Sequence, residues 1–207
     1  MTTIPAEGRN ARRKERTRAA LVLAAQQMLV TGRAQEASVK EITELADVGF
    51  GSFFNHFASK TELFDTALTE AAHRYEEWLN AQLVGVTDPL ERLALSIRLT
   101  GRLHLSHPDE AKLLIGQVNF LHAGKPALAG RVRADLVAAI AALSPEVSRS
   151  PSTVIAATGA IAAVLGAAAT LPEADRAQLA DSLVADVLRL LGVDDALIVE
   201  LATGPLV

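Results

Sequence analysis

Residues 38–57 read SVKEITELADVGFGSFFNHF. Ser38 followed three positions later by Glu41 is a capping box, and it predicts a short helix to about Leu45. Asp47, Val48 and Gly49 make a tight turn, after which a second short helix fits about Phe50 to Phe57. Ile42, Leu45, Ala46, Val48 and Phe53 are spaced to lock the pair at a steep angle, which is a helix-turn-helix. Such a pair cannot fold alone. Upstream, a helix from about Asn10 to Thr31, stopped by Gly32, repeats Leu21, Ala24, Ala25, Met28 and Leu29 along one stripe and offers the missing surface. Downstream, Ser59 and Glu62 predict a second capping box, opening a long helix with Leu63, Ala67, Leu68, Ala71, Tyr75, Trp78 and Leu79 on one face up to about Leu83.

In this arrangement the second short helix is free to enter a major groove. Gly49 and Gly51 keep its leading turn slim, Phe50 and Ser52 point outward, and His56 can donate to a phosphate. Ser38 and Ser59 place helix N-termini where phosphates could sit, and Lys60 adds a full charge beside the second. The charge distribution agrees. Residues 1–60 carry nine Lys or Arg against six Asp or Glu, and residues 61–207 carry eleven against eighteen. The excess is concentrated in Arg9, Arg12, Arg13, Lys14, Arg16 and Arg18, so a polyanion would meet the N-terminus first.

The stretch from about Arg18 to Phe64 resembles the N-terminal DNA-binding domain of the tetracycline-repressor family of transcriptional regulators. Against that family's pattern A-G-V-S-x-G-T-[LF]-Y-x-[HY]-F-x-[SN]-K-x-x-L, the chain aligns Ala46, Val48, Gly51, Ser52 in place of Thr, Phe53, His56, Phe57, Ser59, Lys60 and Leu63 without a gap. The resemblance implies Ser38, His56 and Lys60 on phosphates, and Phe50, Ser52 and Phe53 at or near base edges. It also implies an arm of Arg12, Arg13, Lys14, Arg16 and Arg18 against the backbone or minor groove. Lys40, Gly49, Gly51 and Phe54 fall on the same expected surface. Three departures stand out: Phe54 replaces Tyr and lacks its hydroxyl, Gly49 replaces a Ser cap, and Asp47 replaces the turn Gly. Asp tolerates the left-handed conformation better than most residues.

Beyond this head the pattern stays helical. Asp88, Pro89 and Glu91 supply N-cap, N1 and N3 for a helix with Leu90, Leu93, Ala94, Ile97 and Gly101 inward, ending near His107 and Pro108. Further helices fit about Asp109 to His122, Ala127 to Leu143, Ser150 to Ala169, and one capped by Thr170 and Glu173 that runs through Leu191, about nine in all. The segment from Ser150 to Pro172 has no charge. It is nevertheless rich in Ala, Gly, Ser and Thr and has no aromatic belt, so it reads as a helix buried in protein rather than in a membrane. Zero Cys excludes disulfides and thiolate sites. Nothing marks export.

The fold class expected is all-α. A three-helix DNA-binding head with its basic arm, residues 1–58, joins a helical bundle, residues 59–207, for ligand binding and dimerisation. One recognition helix reads too few base pairs for useful specificity, so a homodimer on a palindromic operator is expected. Its interface is expected on Gly159, Ala163, Gly166, Leu179, Leu183 and Val187. Trp78, Ile97, His104, Leu114, Ile115, Val118, Asn119 and Phe120 combine apolar surface with a few polar groups, as a small-molecule effector site requires. His104, His107 and Asp109 sit at a Pro108 break and make a poor metal site. No catalytic constellation and no cofactor motif is recognisable. The expectation is a cytoplasmic repressor released by a small apolar molecule, with no membrane partner and no enzymatic activity; the alternative is a helical ligand-binding or interaction module without sequence-specific DNA binding.

Overall fold

The computed structural model describes residues 6–114, 127–143, 151–168 and 171–206. Eleven helices and no strands occur among them. The chain divides into two compact units, Met1–Ala71 and Ala72–Val207.

The first unit contains α1 (Ala6–Val30), α2 (Val39–Leu45), α3 (Phe50–Phe53) and the first half of α4 (Lys60–Gln82). Leu21, Ala25, Met28 and Leu29 of α1 are buried, together with Ile42, Phe53, Phe57, Leu63 and Ala67. The buried Gln26 spends its amide on the Ala67 carbonyl at 2.9 Å, tying α1 to α4 without leaving a polar group stranded. The Ser38–Glu41 capping box forms in full. At the next boundary Ser59 accepts from the Glu62 N–H at 3.1 Å, but the Glu62 carboxylate takes the Ala58 N–H rather than that of Ser59.

The turn between α2 and α3 ends α2 by a Schellman motif. Val48 N donates to Thr43 O at 3.0 Å and Asp47 N to Glu44 O at 3.2 Å. That geometry needs a left-handed residue after the helix cap, and Asp47 takes it with φ 52°. Helix α3 is shorter than the sequence suggests. Its last turn tightens, with His56 N on Phe53 O at 2.9 Å and Phe57 N on the same carbonyl at 3.0 Å.

The second unit is built around α5 (Pro89–Gly101), which is buried from Leu93 onward and packs against α8 (Ala127–Ala142), α9 (Pro151–Ala168), α10 (Glu173–Leu190) and α11 (Asp195–Thr203). Asp88 caps α5 by accepting from Leu90 N and Glu91 N at 3.0 and 2.9 Å. The core joins Leu93, Ile97, Leu136, Ile140, Ile161, Leu165, Val184, Leu188 and Ile198. Three expectations need correcting. The fifth helix stops at Gly101, not near His107, and α6 (Leu103–Ser106) and α7 (Pro108–Leu114) follow. Helix α10 starts at Glu173 with Pro172 in the cap position; Thr170 lies outside the described residues. Helix α11, opened by Asp194 on Ala196 N, was not expected at all. No described helix is long and apolar enough to cross a membrane.

A candidate nucleic-acid interface and a buried polar network

Helix α3 and its flanks present Gly49, Phe50, Gly51, Phe54 and Asn55 to solvent, with Ser52 and His56 half-buried. Arg12, Arg13, Lys14 and Arg16 on α1 and Lys40 on α2 are exposed cations of the same unit. Phe53 is different: it is 0% exposed. Its assignment to a base edge is corrected, because a ring that completes the core of the unit cannot also reach a partner. The outward ring is Phe54.

Other candidate residues are held by their own chain. Arg18 pairs with Glu70 at 2.7 Å and lies over the Phe57 ring, 5.6 Å from its centroid. Lys60 donates to the Ala37 carbonyl at 2.5 Å, so its ammonium is fixed at the start of α4 rather than waving in solvent. The Ser38 hydroxyl is engaged with Glu41. The imidazole of His56 is held below its ordinary value. Partial burial is the larger cause, and the cations of Lys14 and Arg18 add to it against the opposing pull of Glu15.

In the second unit the expected effector residues are dispersed. Trp78 sits edge-on to His107 at 5.3 Å and beside Tyr75 at 6.0 Å. Ile97 is in the core shared by α5, α8, α9 and α10, Leu114 is buried on α7, and His104 Nδ1 lies 3.1 Å from the Gly101 carbonyl. Ile115, Val118, Asn119 and Phe120 lie outside the described residues. Among the described residues no group of three metal-ligating side chains gathers.

Sequence reasoning missed a polar network inside this unit. Asp135, 7% exposed, accepts from Ser96 Oγ at 3.0 Å and from Arg131 Nε at 2.9 Å, with Arg92 Nε 3.5 Å away. Asn80 Oδ1 accepts from both Arg131 and Arg92, at 2.7 and 3.1 Å. The Tyr75 and Thr100 hydroxyls share a short hydrogen bond of 2.5 Å, and burial pushes the Tyr75 phenol up to about 12. Arg131 Nη2 is buried and makes no hydrogen bond among the described residues. A buried guanidinium donor without a partner among the described residues is costly and calls for a group that completes it. The signal in the sequence is weak: Arg131 and Asp135 are four apart on α8, but Arg133 lies between them and nothing on the helix marks the pair as buried.

The expected dimer residues divide. Gly159 and Ala163 are exposed on α9, beside Ile155 at 71%, while Gly166 and Leu179 are half-buried. Leu183 and Val187 are 3% and 1% exposed within their own chain. Their place at an interface is corrected: they belong to the core that α10 makes with α5 and α9.

A short-helix head with an all-helical body defines a class of regulator, and comparison gives it a name. The family model described as the tetracyclin repressor-like C-terminal domain matches residues 88–203. The chain belongs to the tetracycline-repressor-like family of transcriptional regulators. No curated protein matches it. Among solved structures, the crystal structure of RolR in complex with resorcinol is similar with a TM-score of 0.63 and 23% identity, over 95% of this chain and 98% of that one. RolR without ligand gives 0.64 and 24%, over 91% and 97%. At these identities the likeness is one of fold.

Proposed function

We propose that the chain is a repressor that binds a palindromic operator as a homodimer through residues 1–58 and releases it when residues 59–207 bind a small molecule. The observation that carries this reading is the exposed face of α3, with Gly49, Phe50, Gly51 and Phe54 outward and the exposed cations Arg12, Arg13, Lys14, Arg16 and Lys40 on the same unit. An amphipathic helix pair built only for packing has no need to hold two aromatic rings in water beside a cluster of positive charge. The charge-free, exposed face of α9 around Ile155, Gly159 and Ala163 is the surface on which two copies would meet.

The effector reading is supported by the Arg131, Asn80, Asp135 and Tyr75 network. A buried guanidinium donor with no partner among the described residues, a carboxylate and a phenol suit a compact ring carrying hydroxyl or carboxylate groups. The RolR structure with resorcinol, a dihydroxybenzene, is of the same fold. Because α4 runs unbroken from Lys60 into the second unit, ligand-driven movement of its C-terminal half would be carried to the head and change the spacing of the two recognition helices.

Selecting bound fragments from the source organism's DNA tests the reading. One enriched palindrome, released by a hydroxylated aromatic in the wild type but not in Arg131→Met, is the expected result. Recovery of fragments at random would refute the operator-binding claim.

A further inference from the structure

Phe50 and Phe54 are 56% and 57% exposed, four residues apart, at a helix of only four residues. Large rings left in water forgo the main gain of folding, so such a pair on a folded head points to something that covers it. The pair is also held in place. Phe54 meets Phe50 edge-on with centroids 5.8 Å apart and meets Phe53 edge-on at 5.2 Å. Phe53, in the core, leans on Phe57 at 6.1 Å, and the Arg18 guanidinium closes the row over Phe57. A file of four rings therefore runs from the interior to the surface. Its two outer members are oriented before a partner arrives, leaving little side-chain entropy to lose on contact.

We propose that Phe50 and Phe54 recognise the C5-methyl groups of thymines in the major groove, so that each operator half-site contains at least one thymine read by shape and apolar contact. The inference rests on the DNA-binding reading above and deepens it. A phenyl ring has neither donor nor acceptor and cannot read the hydrogen-bonding edges of the bases. The thymine methyl is the apolar group those edges present in the major groove, and Phe is a side chain that contacts it. Phe54 has no hydroxyl to send to a phosphate, which leaves its ring for the base edge. Gly49 and Gly51 flank Phe50 without side chains, allowing the backbone close to the groove floor. Asn55, exposed next to Phe54, can pair with adenine, the partner of thymine. The exposed cations Arg12, Arg13, Lys14, Arg16 and Lys40 complement the phosphates on either side.

The test replaces thymines of the selected operator by deoxyuridine one at a time, removing only the methyl, and measures affinity by fluorescence anisotropy. The expected result is a loss of about three- to fivefold at one or two positions per half-site, the size of one methyl returned to water. At those positions 5-methylcytosine in place of cytosine restores part of the affinity lost on changing T·A to C·G. Phe50→Ala and Phe54→Ala, both at exposed positions and checked for native helicity by circular dichroism, lose the thymine-to-uracil discrimination. Selective operator binding that is indifferent to deoxyuridine at every position, or discrimination unchanged in both variants, overturns the inference while leaving the DNA-binding reading intact. Failure to select any fragment overturns that reading instead.

Discussion

Gly101 of α5 and Ala180 of α10 are packed so closely that a Cβ built on the glycine would overlap the Cβ of the alanine. The alanine methyl cannot swing aside, so Gly101→Ala must push two core helices apart. It is expected to destabilise the protein by about 1–3 kcal/mol in urea titrations. Adding Ala180→Gly should recover a large part of that loss, because the two sites share one contact. Equal losses from the single and double variants would show that the strain lies elsewhere.

Asp181 is the joint between the same two helices. Burial pushes its carboxyl up, but hydrogen bonds from Arg102, at 2.8 and 2.6 Å, and from Arg98, at 2.9 Å, outweigh burial and hold it below the ordinary value of 3.8. A carboxylate depressed in the folded state contributes stability that is full above its unfolded value and lost as pH falls through the folded one. Asp181→Asn should therefore cost about 2–3 kcal/mol at pH 7, much of it from leaving the buried Arg98 unpaired. The gap from wild type should narrow below pH 4. A gap independent of pH would assign the loss to shape rather than charge.

Asp47 occupies a left-handed position that costs an ordinary L-residue about 1–2 kcal/mol and glycine nothing. Asp47→Gly should raise stability by about 1 kcal/mol and, by removing a negative charge two residues before Gly49, strengthen binding to all duplexes alike. A melting temperature that stays level or falls would mean the aspartate side chain stabilises the turn.

In the free head, burial first and then the cations of Lys14 and Arg18 lower the His56 imidazole below its ordinary value. A phosphate beside it would reverse that balance, so the complex takes up a proton and affinity rises as pH drops from 8 to 6. His56→Gln should flatten the profile, whereas a wild-type profile already flat over this range would place His56 away from the phosphates.

Most of the head was legible because its signals are local. Ser38 with Glu41 and the stop at Gly32 each act within one turn of helix, as does Asp88 with Glu91 at the start of α5 in the second unit. What the sequence could not convey depends on partners distant in the chain. Arg102 breaks the fifth helix where Asp181 grips its guanidinium, and Asp181 lies about eighty residues away. Phe53 and Phe54 look equivalent in the sequence, yet one fills the core and the other faces water, because α3 is too short to display a period. Leu183 and Val187 make a stripe that would serve an interface or a core equally well, and α5 claims it. Helix α11 was missed although Asp194 caps it and Ile198 and Ala202 are four apart, since nine residues after a glycine turn read easily as a tail. The Arg131–Asp135 pair escaped notice because nothing on its own helix marks it as buried.

The central claim is that a dimer carries two α3 helices into one duplex, with basic arms on the phosphates. An anisotropy titration of the selected palindrome across salt concentrations, beside a scrambled duplex of equal length, tests it most directly. With Arg12, Arg13, Lys14, Arg16 and Lys40 available on each head, log K should fall against log salt with a slope steeper than about −5, at about −0.9 per phosphate neutralised. The palindrome should bind at least about a thousandfold more tightly than the scramble, with two chains per duplex. A slope near zero, or equal affinity for both duplexes, would contradict the account.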